Sequence, residues 1–324
     1  MGRPYPVAAS TAVELALVGP SRPVAVLAAG PEAIYLAVDD AERTTLCLAA
    51  ARAVRVPCAV VLDPKAAVPE LTPGTDGRVG GGSLILGGSV FRVSRWWRPP
   101  KPRGLGGAPP ARLAAAVRWL TVRVADPLDP EGREAVSDLV GALAIGAAPD
   151  SGVSRLLGRG PGLTPTGDDV LAGALVCLTA LGAPAAAPLA AAVTSAAPDA
   201  TTAVSAALLR HAARGECVPQ LADLLEAIGN GGPAASRVLA GSAASSVLAG
   251  SAASSVLAAS AASSVLAGSD QASGTLARAA GALLAVGHCS GAGLLHGVLV
   301  ALAIAHRRLA RNIVVGPLHP AAAA

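Results

Sequence analysis

Between Gly158 and Gly173 the chain reads Gly-Arg-Gly-Pro-Gly-Leu-Thr-Pro-Thr-Gly-Asp-Asp-Val-Leu-Ala-Gly, glycines and an acidic pair crowded just ahead of an apolar helix. Glycine lets backbone approach a ligand closely. A helix start adds unpaired N–H groups and a partial positive charge, which suit phosphate or carboxylate. Gly162, Thr164, Thr166 and Gly167 are therefore candidate substrate contacts. Asp168 and Asp169 could remove a proton or hold a divalent cation such as Mg2+ against phosphate. A competing reading is a capped helix, with Thr166 as N-cap, Asp169 as its reciprocal partner and Asp168 favoured by the helix dipole. Capping alone requires neither so many glycines nor both aspartates.

A second segment repeats the design. Gly287-His-Cys-Ser-Gly-Ala-Gly-Leu-Leu-His-Gly297 opens another apolar helix, with Ser290 as a reasonable N-cap. Ser290 and Gly291 are candidate substrate contacts. His288 could donate a hydrogen bond to a bound anion or carbonyl, and is the third candidate catalytic residue. The two turns would then converge on one anion. Alternatively Gly291, Gly293 and Gly297 let two buried helices approach closely. Cys289 could be a thiolate at a helix start, but no partner base is evident. Arg155 and Arg159 flank the first turn, either as paired donors to phosphate or as solvated loop arginines. His296 reads as a packing residue.

Gly162-Leu-Thr-Pro-Thr-Gly-Asp-Asp169 with Leu171 and Gly173, followed by Gly287-His-Cys-Ser-Gly291 with Leu294, Leu295 and Gly297, resembles the bacterial domain family containing the AllH subunit of oxamate carbamoyltransferase. The resemblance extends to Trp96-Trp-Arg-Pro99 and to Thr201-Thr-Ala-Val-Ser205 leading into Leu208-Leu-Arg-His-Ala-Ala-Arg-Gly215. It implies a subunit of a complex that moves a carbamoyl group between phosphate and the amide nitrogen of oxamate. The ligand would be a small anionic carboxylate or phosphate such as carbamoyl phosphate, oxamate or oxalurate, and Thr202 and Ser205 would join the site. An FdrA-like subunit and another large subunit would be its partners. Gly293 stands where many relatives are expected to carry an acid, which removes any acid from the second turn. The chain could equally be a non-catalytic ligand-binding or assembly subunit, with the chemistry in the FdrA-like partner. A phosphoryl-transfer enzyme is disfavoured, since no G-x-x-x-x-G-K-[ST] loop is present.

At 324 residues the chain has ample core for one large domain or two smaller ones. Apolar residues make up 52% but aromatics only 2%, so Ala, Val and Leu must build the core by close packing. All basic residues but Lys65 and Lys101 are arginines, and the formal charge is only +4. Without aromatics interleaved on a compact basic face, nucleic acid is not an expected partner. Five cysteines, an odd number with no C-x-x-C pair, argue against a disulfide framework and a zinc site. Prolines break the apolar run 170–197, and glycines and His296 interrupt 289–305, so neither is expected to span a membrane. With no charged-then-apolar leader, a cytoplasmic location is expected.

These turns need a scaffold, and its expected class is α+β. Residues 1–105 read as a small antiparallel β-rich domain, barrel-like or sandwich-like. Strands are expected at 24–28, 33–38, 58–62, 83–86 and 89–94, with a short helix at 44–54. Pro and Gly make 99–110 a linker. A larger helical bundle domain, 111–316, carries the glycine motifs, with helices expected at 111–122, 130–145, 168–181, 185–197, 201–214, 218–228, 273–286 and 291–311. Within it, 233–269 is a low-complexity insertion whose Val-Leu-Ala-Gly-Ser-Ala-Ala-Ser-Ser unit has a nine-residue period. Nine residues turn an α-helix through roughly 900°, so successive Val-Leu pairs would face opposite sides. A surface loop, partly helical or disordered and without a catalytic role, is expected there.

Overall fold

The computed structural model describes residues 4–230 and 263–314. Eight strands come first: β1 (Tyr5–Ser10), β2 (Arg22–Ala29), β3 (Ala33–Val38), β4 (Thr45–Ala49), β5 (Ala59–Leu62), β6 (Asp76–Gly80), β7 (Ser83–Leu86) and β8 (Ser89–Trp97). A short helix, α1 (Glu14–Val18), follows β1. The strands close into a barrel in the order β1-β5-β4-β3-β2-β6-β7-β8. Closure leaves no unpaired sheet edge. Val24 and Val26, then Ile34, Leu36 and Val38, alternate buried with less buried neighbours, which is the period-two pattern of a sheet with one inward face.

Several features depart from the sequence reading. The pairings β1–β8 and β4–β5 are parallel, the others antiparallel. Residues 45–49, expected as part of a short helix, form β4, and every residue of β4 and β5 is buried. Strands covered on both faces lose the alternation that marks a half-exposed strand. Their outer cover is helical: α7 (Ala203–Ala213) packs on β4, and the Thr45 hydroxyl lies 3.5 Å from the Ala203 carbonyl. β1 and β6 were not anticipated. Asp76-Gly-Arg-Val-Gly80 has little strand character of its own and is held by β2 and β7 on either side.

The helical part comprises α2 (Pro110–Arg123), α3 (Pro130–Ile145), α4 (Asp150–Leu156), α5 (Thr166–Leu181), α6 (Ala186–Ala200), α7, α8 (Pro219–Asn230), α9 (Ser263–Leu284) and α10 (Ser290–Val314). Only α4 was not expected. Segment 99–110 runs against this body: Leu105 is buried, and the Pro100 carbonyl accepts from the Cys217 N–H. Of the repeat region 233–269, all before residue 263 lies outside the described residues.

Helix α5 is the axis. Leu171, Leu175, Val176 and Leu178 are buried around it, and α10 lies along its length. Glycine makes that contact possible. A Cβ on Gly173 would stand 2.1 Å from the Leu294 carbonyl oxygen, and one on Gly297 at 2.1 Å from that of Val170. The second turn thus does bring two buried helices into close approach. Among the described residues, Ser290–Arg307 of α10 is long and apolar enough to cross a bilayer. Its Leu295, Val298, Ala301, Leu302 and Ile304 are instead buried inside the protein.

Candidate functional site

A cavity of about 600 Å³ lies between the barrel and the helical body. On α5 the positions 169, 172 and 176 follow helical spacing, so Asp169, Ala172 and Val176 share the face that lines it. The barrel supplies Ala33 and Tyr35 from β3 and Cys47 from β4. The rim is formed by Pro161–Leu163 of the first glycine turn and by Gly287 and His288 of the second, all exposed.

Gly158, Gly160 and Gly162 adopt φ of 71°, 114° and 92°, a region that side-chain-bearing residues rarely visit. Those glycines therefore shape a backbone turn. The turn is then tied down by Asp168, which is 1% exposed. Its carboxylate accepts from the Gly158 N–H at 2.8 Å, from the Ser205 hydroxyl at 2.6 Å and from the Thr201 hydroxyl. Burial raises its pKa from the ordinary carboxylate range, opposed by those three donors. Asp168 thus clamps the turn, α5 and the start of α7 together. Thr202 completes the clamp, capping α7 through the Ser205 N–H at 3.0 Å and donating to the Leu163 carbonyl at 2.6 Å.

Neighbouring helical residues point about 100° apart, so Asp169 faces elsewhere. It is 7% exposed, and its Oδ2 is buried without a hydrogen-bond partner. Burial pushes its carboxyl up to about 7; a hydrogen bond from Ser290 pulls the other way, and the nearby Asp168 adds to the rise. The Ser290 hydroxyl lies 2.9 Å from that of Thr164, and the Thr166 hydroxyl lies 3.9 Å from the Cys289 sulfur. The two glycine turns, more than a hundred residues apart, therefore meet around Asp169. Gly293 belongs to this junction, since a Cβ there would come within 2.6 Å of the Asp169 Cβ.

Of the residues singled out in the sequence, Gly162, Thr164, Asp169, His288, Cys289 and Ser290 line the cavity. Thr166, Gly167, Asp168, Thr202, Ser205 and Gly291 form its frame instead. Gly167 abuts the Leu156 carbonyl and Gly291 that of Leu283. Thr166 is the first residue of α5, and Pro165 occupies the N-cap position expected for it. The first N–H groups of α5 are also partly consumed, by the carbonyls of Arg159 (to Gly167) and Pro165 (to Asp168 and Asp169). Arg155 is bound by Glu134 and Asp138, and Arg159 by Asp129 and Glu131, so neither reaches the cavity.

Sequence reasoning missed Tyr35 and Glu216. Tyr35 is hydrogen-bonded to Cys47, and burial raises its phenol well above the ordinary value, so it stays protonated. Glu216 is 6% exposed and paired with His211 at 2.6 Å, Lys101 at 3.0 Å and Arg214 at 3.3 Å. Burial raises its carboxyl, but the His211 and Lys101 hydrogen bonds and the Arg214 charge prevail and hold it at about 2. Outward positions of a barrel strand carry no local mark of what will cover them.

This wall does not suit a multiply charged anion. Among the described residues it carries Glu32, Asp169 and Glu216 but no lysine or arginine. Nor do the aspartates fit Mg2+. Both Asp168 oxygens already accept from protein donors, the two carboxylates diverge, and among the described residues no group of three His, Cys, Asp or Glu is placed to hold a metal. What the arrangement offers is a carboxyl group of near-neutral acidity, one of its oxygens unpaired, at the polar end of a mainly apolar chamber.

A family model described as oxamate carbamoyltransferase subunit AllH matches residues 156–243 of the chain. That span carries the first glycine turn with Asp168 and Asp169, and the helices α5, α7 and α8 that line the cavity. The second turn lies beyond it. No curated protein and no solved structure matches the chain.

Proposed function

We propose that the chain is a subunit of a carbamoyltransferase-type complex, and that its cavity binds the amide partner of the transfer with an N–H directed at Asp169. The observation that carries this is Asp169 on the cavity wall, with one carboxyl oxygen buried and unpartnered, inside the segment similar to the AllH subunit family. A buried acceptor without a partner costs free energy that a ligand donor recovers. Oxamate and oxalurate both bear such a donor. In the forming direction the amide nitrogen attacks the carbamoyl carbon of carbamoyl phosphate. A C–N bond forms, the C–O bond to phosphate breaks, phosphate departs with the bonding electrons, and the amide proton passes to Asp169. In reverse, protonated Asp169 returns that proton to the leaving nitrogen. A group titrating near pH 7 is suited to both directions.

The cations for the phosphate would come from the partners, an FdrA-like subunit and another large subunit, because this wall offers none. The same observation favours a second reading, a ligand-binding subunit whose chemistry lies wholly in its partner. In the reconstituted complex, Asp169→Asn should lower turnover by about 100-fold or more while leaving assembly intact. Undiminished turnover refutes the proton-transfer role. Ligand binding that survives alongside it supports the second reading.

A further inference from the structure

We infer that the cavity takes an uncharged N–H donor, an amide or ureido group, carried on a hydrocarbon body several carbons long. This rests on the same site as the proposed function but goes beyond it: where that reading seats small anionic oxamate or oxalurate, this one seats a neutral amide on a longer apolar body, and it does not depend on carbamoyl transfer.

Three observations converge. The first is size. At about 600 Å³ the chamber has room for roughly twenty waters of about 30 Å³ each. A fragment of a few heavy atoms would leave most of that space as water against an apolar surface. The second is the distribution of polarity. Asp169 sits in the first turn of α5, and Val176 lies seven residues on, about 10 Å along the helix at 1.5 Å per residue. Over that length the wall is Ala172 and Val176, with Leu208, Leu221 and Leu294 closing in from α7, α8 and α10. Polar groups that a ligand head could meet cluster at the Asp169 end, where Thr164, His288 and Ser290 also lie. The third is charge. No lysine or arginine lines the chamber among the described residues, and Glu216 is already saturated by its own cations. Glu32 is likewise paired with Arg52, so an anionic ligand would find no free cation here, whereas a neutral N–H donor meets the Asp169 carboxyl and sends its hydrocarbon part down the apolar wall.

Binding of acetamide, butyramide, hexanamide and octanamide to the purified full chain, measured by ligand-observed NMR, tests this against oxamate and inorganic phosphate. Affinity should rise about fourfold per methylene until the chamber is filled. The matching carboxylic acids should bind at least tenfold more weakly above pH 7. Ala172→Leu and, separately, Val176→Phe should shift the preference to shorter amides; two variants guard against one failing to fold. Asp169→Asn should weaken every amide while preserving the dependence on length. The inference is overturned if no alkyl amide binds, if affinity ignores chain length, or if oxamate or phosphate binds more tightly than hexanamide. Oxamate turnover without alkyl-amide binding overturns it while leaving carbamoyl transfer standing. Alkyl-amide binding without oxamate turnover supports it and removes the transfer reading.

Discussion

Replacing Asp169 by Asn should make the protein more stable at alkaline pH while leaving acid stability nearly unchanged. The carboxyl is raised from 3.8 to about 7, first by burial. Between those values the folded chain keeps the proton and the unfolded chain has released it, so stability from this group is complete below about pH 4. It is lost as pH climbs through about 7. Roughly three pKa units correspond to about 4 kcal/mol at 1.36 kcal/mol per unit. Water in the adjoining cavity screens the ionised group and brings the expected loss nearer to about 2 kcal/mol. Asparagine fills the same space and never ionises, so it escapes that loss. Urea denaturation of both proteins from pH 4.5 to 8.5 measures the gap directly. With an m-value of about 2 kcal/mol/M, the variant's midpoint should exceed the parent's by about 1 M at pH 8.5 and approach it at pH 4.5. A gap that does not change with pH would mean that Asp169 titrates as an ordinary carboxylate, and the reasoning on its burial and missing partner would fail.

Two further outcomes follow from the frame. Asp168→Asn turns an amide toward hydroxyl or backbone donors that need an acceptor, and should cost about 3 kcal/mol in urea unfolding. An Asn variant as stable as the parent would deny Asp168 its clamping role. Gly293→Ala places a Cβ 2.6 Å from that of Asp169 and 3.2 Å from the Thr166 carbonyl oxygen, and should destabilise by about 1–3 kcal/mol through separation of α10 from α5. A thermal midpoint unchanged by that substitution would show the helix contact to be looser than described.

Much of the organisation was legible locally. Alternating Ile34, Leu36 and Val38 marked a strand, Pro130 with Asp129 before it marked the start of α3, and the glycine-rich turn ahead of Asp168 stood out from any packing need. Even the meeting of the two turns could be framed from their matched design. Residues 45–49 were read as helix because burial on both faces erases periodicity, and that burial comes from α7, which lies far along the chain. The roles within the acidic pair were likewise beyond a local reading. Both residues are aspartate and adjacent, yet one meets three donors and the other an unpaired space.

Sequence by itself determined the mixed class, most of the helices, the glycine turns and the presence of two carboxyls at a helix start, because these depend on backbone conformation and on neighbours within a few residues. Tertiary structure alone decided that Asp168 clamps while Asp169 faces a cavity, that Tyr35 and Glu216 join the wall, and that Arg159 is spent on α3. The physical reason is that desolvation and hydrogen-bond satisfaction are set by whatever packs against a side chain, and here those neighbours arrive from strands and helices remote in sequence.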